Sequence, residues 1–352
     1  VLELIATGWE STDEIESFVK ETLYWQQMTV GNSWGRGPET KEEKLKIKLE
    51  NTTEWLVDQE FITEKDTQSA FIPTSLGRGA VDFHYGTFVD AELNSIKSFY
   101  NWAEETPHNE ITQLDYLHQV IANFGMELGA DSVEGRLDPV LHNYGYTTNS
   151  VGITAGLIRW YWMGNYSTER IEEDTGIDPT YLPGLASRIS TTIQATKYIV
   201  EAAPNARVAK WHDNLVFRVD KGVSEDAIPV VSDINAMGRV RIRFLRTYLE
   251  KMAHQTLDVD PDVDHSLWTL LSEFYDHTGS SEQFEDLIAE KVPTLGNVTA
   301  KNLSKHIQKG EVTTTNNSTH EEHALESALN GTSTADVELE QGSTLSTSLG
   351  DF

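Results

Sequence analysis

The chain has 352 residues, of which 27 are Lys or Arg and 56 are Asp or Glu, so its formal net charge is −29. This length suggests two or three domains, with enough chain for more than one core. Because cysteine is absent, disulfides and thiolate metal sites are excluded. No apolar run reaches the roughly 18 residues of a membrane span, and no basic-then-apolar signal opens the chain. We therefore expect a cytoplasmic protein.

The acidity has two interpretations. One is a protein that avoids nucleic acid, since phosphate binding requires Lys and Arg. The other is a halophile's protein, in which surface carboxylates maintain hydration and solubility while molar salt screens their repulsion. We favour the second because the excess of carboxylates runs along the whole sequence. In that setting, a local cluster of arginines is more informative than it would be in a neutral protein.

Residues 1–95 have the pattern of helices with a small β element. Ser11 and Glu14 have the spacing of a capping box at the start of one helix. A second helix is predicted in "KEEKLKIKLENTTEWLVDQ". Two short β-type runs then flank a polar turn in "FITEKDTQSAFIP", and Thr74 is placed to cap a further helix. Helices followed by a two-stranded hairpin predict a winged-helix domain.

Residues 96–205 have the pattern of a helical bundle. The segment "GITAGLIRWYWMGNY" is apolar almost all round, which places that helix inside the bundle. The segment "LASRISTTIQATKYIVEAA" is a long amphipathic helix that is rich in Ser and Thr. Its polar face is either a solvated surface or the lining of a ligand site, and the pattern alone favours the solvated surface.

Residues 206–310 contain a pattern typical of a helix-hairpin-helix, in which apolar residues and a glycine precede a helix. Ile234, Met237, Gly238, Ile242 and Leu245 provide it in "DINAMGRVRIRFLR". Glycine permits a tight turn, and the N-terminus of the next helix can bind a phosphate through its amides. The same helix carries four arginines. Arg239, Arg243 and Arg246 have the spacing of one helical face, with Arg241 displaced from it, and predict a surface that contacts phosphates.

The pattern recurs in "VPTLGNVTAKNL". Val292, Leu295, Gly296, Ala300 and Leu303 repeat the spacing of the first match. Gly296, Thr299 and Lys301 are the candidate nucleic-acid contacts in this second copy, beside Gly238 and the four arginines in the first. The alternative is a pair of structural corners without a ligand.

From residue 311 onward the chain contains no Lys or Arg and is dominated by Ser, Thr and Asn. Such a segment buries too little apolar surface to offset the entropy lost on ordering, so we predict that residues 311–352 are a disordered acidic tail. The sequence contains no recognisable catalytic constellation. The predicted fold is thus mainly α: a winged helix, a helical bundle, a helix-hairpin-helix region and the tail.

These segments, in this order, resemble the C-terminal half of the archaeal Ski-like DNA helicases, DEAD/DEAH-type superfamily-two enzymes that act at stalled forks. The resemblance covers roughly residues 1–250. It rests on the winged-helix signature of Thr74, Leu76, Gly77 and Arg78, on "LIRWYWMGNYSTERIEEDTGIDPTYL" at the start of the family's ratchet bundle, and on "GRVRIRFL". With the acidity, it points to a haloarchaeal protein.

The resemblance implies an accessory DNA-binding half of an ATP-dependent helicase involved in replication and repair. Two RecA-like motor domains, expected before Val1, would hold ATP and Mg²⁺; no cofactor, metal or catalytic residue is expected in this chain. The implied partners are single-stranded or forked DNA and the motor domains, with no membrane. The family's ratchet helix stacks on bases through an Arg and a Trp. Here Gly184 and Thr191 occupy those positions, which leaves Arg188 and Tyr198 as the alternative contacts.

Two other functions are compatible with the sequence. The chain is either a stand-alone, non-enzymatic DNA-binding protein derived from such a helicase, or a scaffold that binds other proteins. Contacts to the sugar-phosphate backbone do not read the bases, so the ligand is either DNA or RNA.

Overall fold

The computed structural model describes residues 1–23, 25, 40–65, 70–83, 90–128, 149–255 and 265–309. All of them lie in one compact unit, Val1–Val312. The described residues are mainly helical, which confirms the predicted α class. The predicted disordered tail, residues 311–352, lies outside the described residues. Among the described residues, no helix combines the length and the apolar character needed to cross a membrane.

The N-terminal part consists of helices and one hairpin. Its elements are α1 (Leu2–Ala6), α2 (Thr12–Glu21), α3 (Lys41–Asp58), β1 (Ile62–Glu64), β2 (Phe71–Pro73) and α4 (Ser75–Phe83). The capping box predicted at Ser11 and Glu14 is present at the start of α2. The two strands are antiparallel, with Thr63 opposite Ile72. Helices followed by a two-stranded hairpin are therefore confirmed for this segment.

Thr74 and Gly77 hold the hairpin against α4. The Thr74 hydroxyl donates to the Glu60 carbonyl at 2.6 Å and accepts from the Gly77 amide at 3.0 Å. A Cβ atom added at Gly77 would lie 2.0 Å from the Phe61 carbonyl oxygen. Leu76 is buried, whereas Arg78 is exposed. The helix cap predicted at Thr74 is thus confirmed, and Leu76 and Gly77 have packing roles that the sequence pattern alone did not reveal.

The middle of the chain forms the helical bundle. Its elements are α5 (Asp90–Glu105), α6 (Gln113–Phe124), α7 (Ser150–Gly156), a π-helix (Leu157–Trp162), α8 (Thr168–Thr175), a 3-10 turn (Pro179–Tyr181) and α9 (Leu182–Ala202). Every residue of the π-helix is buried, as its apolar sequence predicts. The long helix α9 packs against α4, α5 and α6, and the buried hydroxyls of Tyr116 and Thr196 join α6 to α9 at 2.9 Å.

The last described part contains α10 (His212–Lys221), a 3-10 turn (Glu225–Ala227), α11 (Ile228–Asp233), α12 (Arg239–Gln255), α13 (Leu267–Thr278), α14 (Ser281–Lys291) and α15 (Asn297–Lys309). Helices α11 to α15 surround a hydrophobic core of their own, which we call the shared core. Phe274 and Phe284 lie near its centre, with ring centroids 5.7 Å apart.

Candidate nucleic-acid interface

The chain turns twice in the same way within the shared core. We call residues 234–238, between α11 and α12, the first corner, and residues 292–296, between α14 and α15, the second corner. The Ile234 amide donates to the Val230 carbonyl at 3.2 Å and ends α11. In the second corner, the Val292 amide donates to the Ile288 carbonyl at 3.0 Å and ends α14. The two approaching helices therefore stop at equivalent residues.

The turns that follow are also equivalent. The amide of Met237 donates to the carbonyl three residues earlier at 3.1 Å, and the amide of Leu295 does the same at 3.2 Å. Inside each turn, just before the donating residue, the backbone is left-handed, with φ of 69° at Ala236 and 68° at Thr294. Left-handed φ is uncommon for residues other than glycine. Its occurrence at the same place in both corners indicates a common backbone conformation.

The side chains follow the same plan. The predicted apolar positions are all buried: Ile234, Met237, Ile242 and Leu245 in the first corner, and Val292, Leu295, Ala300 and Leu303 in the second. Gly238 and Gly296 are exposed, and a Cβ atom added to either would meet nothing within 4 Å. Both glycines thus open onto solvent beside the first turn of a helix, where backbone amides lack intrahelical acceptors.

The arginines of α12 are placed differently from the sequence-based expectation. The Arg239 guanidinium points into the protein and donates to the carbonyls of Tyr161, Trp162 and Tyr166 at the end of the π-helix. Its carbon lies 4.5 Å from the centroid of the Trp162 ring. Burial lowers the Arg239 pKa to about 10, and the nearby Arg243 charge contributes to the shift. The side chain stays charged at neutral pH but is occupied by protein acceptors.

Arg246 is also engaged within the protein. It forms an ion pair with Asp226 and lies 3.3 Å from the Ser224 hydroxyl. Arg243 donates to the Tyr166 carbonyl at 3.5 Å, and its carbon lies 5.6 Å from the Phe244 ring centroid. The face shared by Arg239, Arg243 and Arg246 therefore turns towards the bundle and the 3-10 turn before α11, and the predicted phosphate contacts of these residues stay a prediction.

Arg241, which the helical periodicity sets apart, lies beside the first corner. Its Nη1 donates to the Ala236 carbonyl at 2.7 Å, and the side chain is only partly buried. In the second corner Lys301 is exposed, and the Thr299 amide donates to the Gly296 carbonyl at 3.0 Å. Arg241 thus lies at the first corner, Lys301 is an exposed base five residues after Gly296, and the DNA-binding roles of these residues stay predictions.

Two exposed valines were missed in the sequence. Val240 is 47% exposed and Val298 is 76% exposed, and each lies two residues after the glycine of its corner. The repeated glycine pattern was sufficient to find them, because aligning Gly238 with Gly296 also aligns the two valines. Large apolar side chains are scattered over most surfaces, but these two occupy matched positions in the first turns of α12 and α15.

Helix α9 presents a second candidate surface. Its exposed residues include Gly184, Arg188, Thr191 and Tyr198, so the positions discussed for the ratchet helix lie on the solvent side. Tyr198 is 41% exposed, and Tyr181, just before the helix, is 68% exposed. With a rise of about 1.5 Å per residue, Arg188 and Tyr198 are about 15 Å apart along α9. Tyr181 was not among the sequence-based candidates.

Within the described ranges, no group of three or more His, Asp or Glu side chains is arranged to hold a metal ion. No protein-family model matches the chain.

Proposed function

We propose that this protein binds the backbone of a nucleic acid through the two corners, which act as a tandem pair of helix-hairpin-helix motifs. The observation that carries the proposal is the repeated main-chain geometry, with left-handed residues at Ala236 and Thr294 and open glycines two residues later. A single glycine before a helix is common. Two copies of one strained turn, packed on a single core, favour a repeated ligand such as a sugar-phosphate chain.

The physics of binding suits an acidic protein. Amides in the first turn of a helix and the positive end of its dipole attract an anion without any side chain. The chain therefore needs few exposed cations, and Arg241 and Lys301 supply one for each corner. Elsewhere the excess of carboxylates repels phosphates, which would favour binding at these two places.

The fuller proposal is that the chain is the accessory DNA-binding part of an ATP-dependent helicase. The Thr74–Gly77 contacts and the hairpin support a winged helix, and the exposed face of α9 with Arg188 and Tyr198 supports a path for single-stranded DNA. ATP, Mg²⁺ and hydrolysis would belong to RecA-like domains. Forked or single-stranded DNA is the proposed ligand, and the cytoplasm the proposed compartment.

The direct test replaces Val298 with Glu. This position is in the first turn of α15, where a carboxylate suits the helix dipole and leaves stability nearly unchanged. It also places a negative charge where the phosphate should bind. We expect fluorescence anisotropy with forked DNA to show at least tenfold weaker binding, the loss expected from about 1.4 kcal/mol.

The matched control is Gln283→Glu, which adds the same charge in the first turn of the neighbouring α14, next to its capping residue Ser280. This control should leave affinity within about twofold, because exposed charges beyond a Debye length are screened. Equal losses in the two variants would indicate a general charge effect and refute binding at the second corner. A wild-type protein that binds neither forked nor single-stranded DNA would refute the function itself.

A protein-binding scaffold is the second candidate, and the exposures of Val240 and Val298 favour it. Matched apolar side chains on an acidic surface are also what a protein partner would bury. The salt dependence of binding separates the two functions. Phosphate binding weakens linearly with the logarithm of salt concentration, whereas a contact through two valines changes little or strengthens in molar KCl.

A further inference from the structure

Arg239 occupies a point where three elements of the fold meet. Its three acceptors are carbonyls at or just beyond the C-terminal end of the π-helix. Two of them, Tyr161 and Trp162, also accept from the amides of Tyr166 and Asn165, so the guanidinium adds a second donor to each. A guanidinium there also complements the negative end of the helix dipole. The Trp162 ring beneath it is fixed by a 2.7 Å hydrogen bond from the indole Nε1 to the Val219 carbonyl in α10.

Gly222 completes this junction. It ends α10 with φ of 63°, in the left-handed region that favours glycine. A Cβ atom here would lie 2.6 Å from Cε2 of Trp162 and 2.7 Å from Cδ of Arg239. The same glycine is the last residue before the chain enters the shared core at Val223. Gly222 therefore connects α10 to the shared core and also lies directly against the side chains of Arg239 and Trp162.

The backbone and the side chain of Arg239 face different parts of the protein. Its backbone follows the exposed Gly238 and begins α12, in the turn where a phosphate is proposed to bind. Its side chain, by contrast, is anchored in the bundle. We infer that Arg239 is a positioning residue, which fixes the first corner and the shared core in one orientation relative to the π-helix and α9. The junction itself is independent of the proposed function, and only the purpose of the fixed orientation rests on it.

Lysine cannot replace this arginine. The planar fork reaches several carbonyls at once while its face lies on the Trp162 ring. An ammonium group is a compact point charge without a planar face, so it cannot combine the two contacts in this geometry. Without the guanidinium, fewer contacts fix the shared core relative to α10, among them the 3.4 Å bond from Arg218 in α10 to Glu225 in the 3-10 turn. We therefore expect the shared core to adopt more than one orientation.

The orientation can be measured directly because the chain has no cysteine. Glu201 in α9 and Asp286 in α14 are exposed, so cysteines introduced at both positions accept spin labels without affecting the junction. In the full chain without DNA, double electron–electron resonance should give one narrow distribution of distances between the two spin labels. Arg239→Gln should broaden it or split it, and Arg239→Lys should do so as well. Arg241→Gln, the matched control two residues later, should leave it narrow.

DNA binding then separates positioning from direct contact. We expect Arg239→Gln to weaken binding without changing the slope of log affinity against log salt, because no phosphate contact of this side chain is lost. Arg241→Gln should reduce the slope by about 0.7 to 0.9, the value of one phosphate contact. If both variants reduce the slope equally, Arg239 contacts phosphate and the inference is overturned.

The remaining outcomes are also decisive. An unchanged distance distribution in both Arg239→Gln and Arg239→Lys would overturn the inference, whatever the effect of these variants on DNA binding. A broadened distribution in a protein that does not bind DNA would support the junction and refute only the proposed function. If Arg239→Gln fails to fold, the Arg239→Lys distribution decides, since lysine keeps the charge and most of the volume.

Discussion

Replacing Asp226 with Asn should destabilise the shared core more than any exposed charge substitution. The Asp226 carboxylate accepts from Arg246, from the Ser224 hydroxyl at 2.5 Å and from the Leu267 amide at 2.7 Å. It thereby links the 3-10 turn, α12 and the start of α13. Burial opposes its ionisation, but the Arg246 charge and these hydrogen bonds outweigh burial and hold the Asp226 pKa below its ordinary value.

The magnitude follows from these contacts. Hydrogen bonds to a charged group contribute about 1.5–3 kcal/mol each, and removing one partner of a fully buried ion pair costs about 3–5 kcal/mol. The side chains of Arg246 and Asp226 are 23% and 26% exposed, so solvent screens part of the pair. Since Asn keeps the shape and can still accept from Leu267, we expect a loss of about 2–3 kcal/mol.

Urea unfolding at a fixed high KCl concentration is the appropriate assay, because guanidinium would change the ionic strength. Asp220→Asn removes a carboxylate whose ion pair with Lys221 is 39–49% exposed, and it should cost less than about 0.5 kcal/mol. A cycle with Arg246→Met should give a coupling of about 1–2 kcal/mol. A loss at Asp226 no larger than that at Asp220, or no coupling, would show that the stability of the shared core does not depend on this carboxylate.

The pH dependence has a definite sign. A folded-state pKa below the unfolded value means that the stabilisation by Asp226 is fully present above the unfolded pKa, near 4. It is lost as the pH falls through the lower folded-state pKa. Below about pH 4 the wild type should therefore lose stability more steeply than Asp226→Asn. Parallel curves for the two proteins over this range would contradict the assigned shift.

Four further predictions concern backbone geometry and salt. Gly77→Ala should lower the free energy of unfolding in urea by about 1–3 kcal/mol, because its Cβ would lie 2.0 Å from the Phe61 carbonyl oxygen. Gly184→Ala, the control, has open space around it and should be neutral or stabilising. Equal effects of the two substitutions would refute the packing argument. Thr294→Gly should raise the free energy of unfolding by roughly 0.5–1 kcal/mol, because glycine adopts the left-handed φ at this position without steric strain. A loss of stability would show that the Thr294 side chain makes a compensating contact. With a net charge of −29, the protein should melt at lower temperature as KCl is reduced from about 1 M to 0.1 M, where the Debye length grows from about 3 to 10 Å. Nucleic-acid binding should persist in molar KCl, and a melting temperature insensitive to KCl would contradict the halophilic interpretation.

Local signals predicted the helices and their ends well. The Ser11 capping box, the hairpin before Thr74 and both corners were found because each depends on residues close together in sequence. The apolar positions of the corners predicted which side chains are buried. These features need only helical or strand periodicity and the preferences of capping residues.

Long-range contacts account for what the sequence did not predict. Arg239 donates to carbonyls more than seventy positions earlier in the chain, and nothing near Gly238 indicates that they are there. Asp226 bonds to Leu267 across two helices. The left-handed turns at Ala236 and Thr294 lack the glycine that usually marks them. Helical periodicity identified a common face for Arg239, Arg243 and Arg246 but did not indicate what that face would contact.

The shared core has a consequence for how tightly the two corners could hold a ligand. Because α12 and α15 pack on the same buried residues, the two corners are held at a fixed distance from each other. Once one corner is occupied, a ligand of matching spacing meets the other at a high effective concentration. Such rigid bivalency can raise avidity about 10²- to 10⁴-fold over one site alone. Two individually weak contacts would then suffice, and loss of either one would reduce the protein to a monovalent binder.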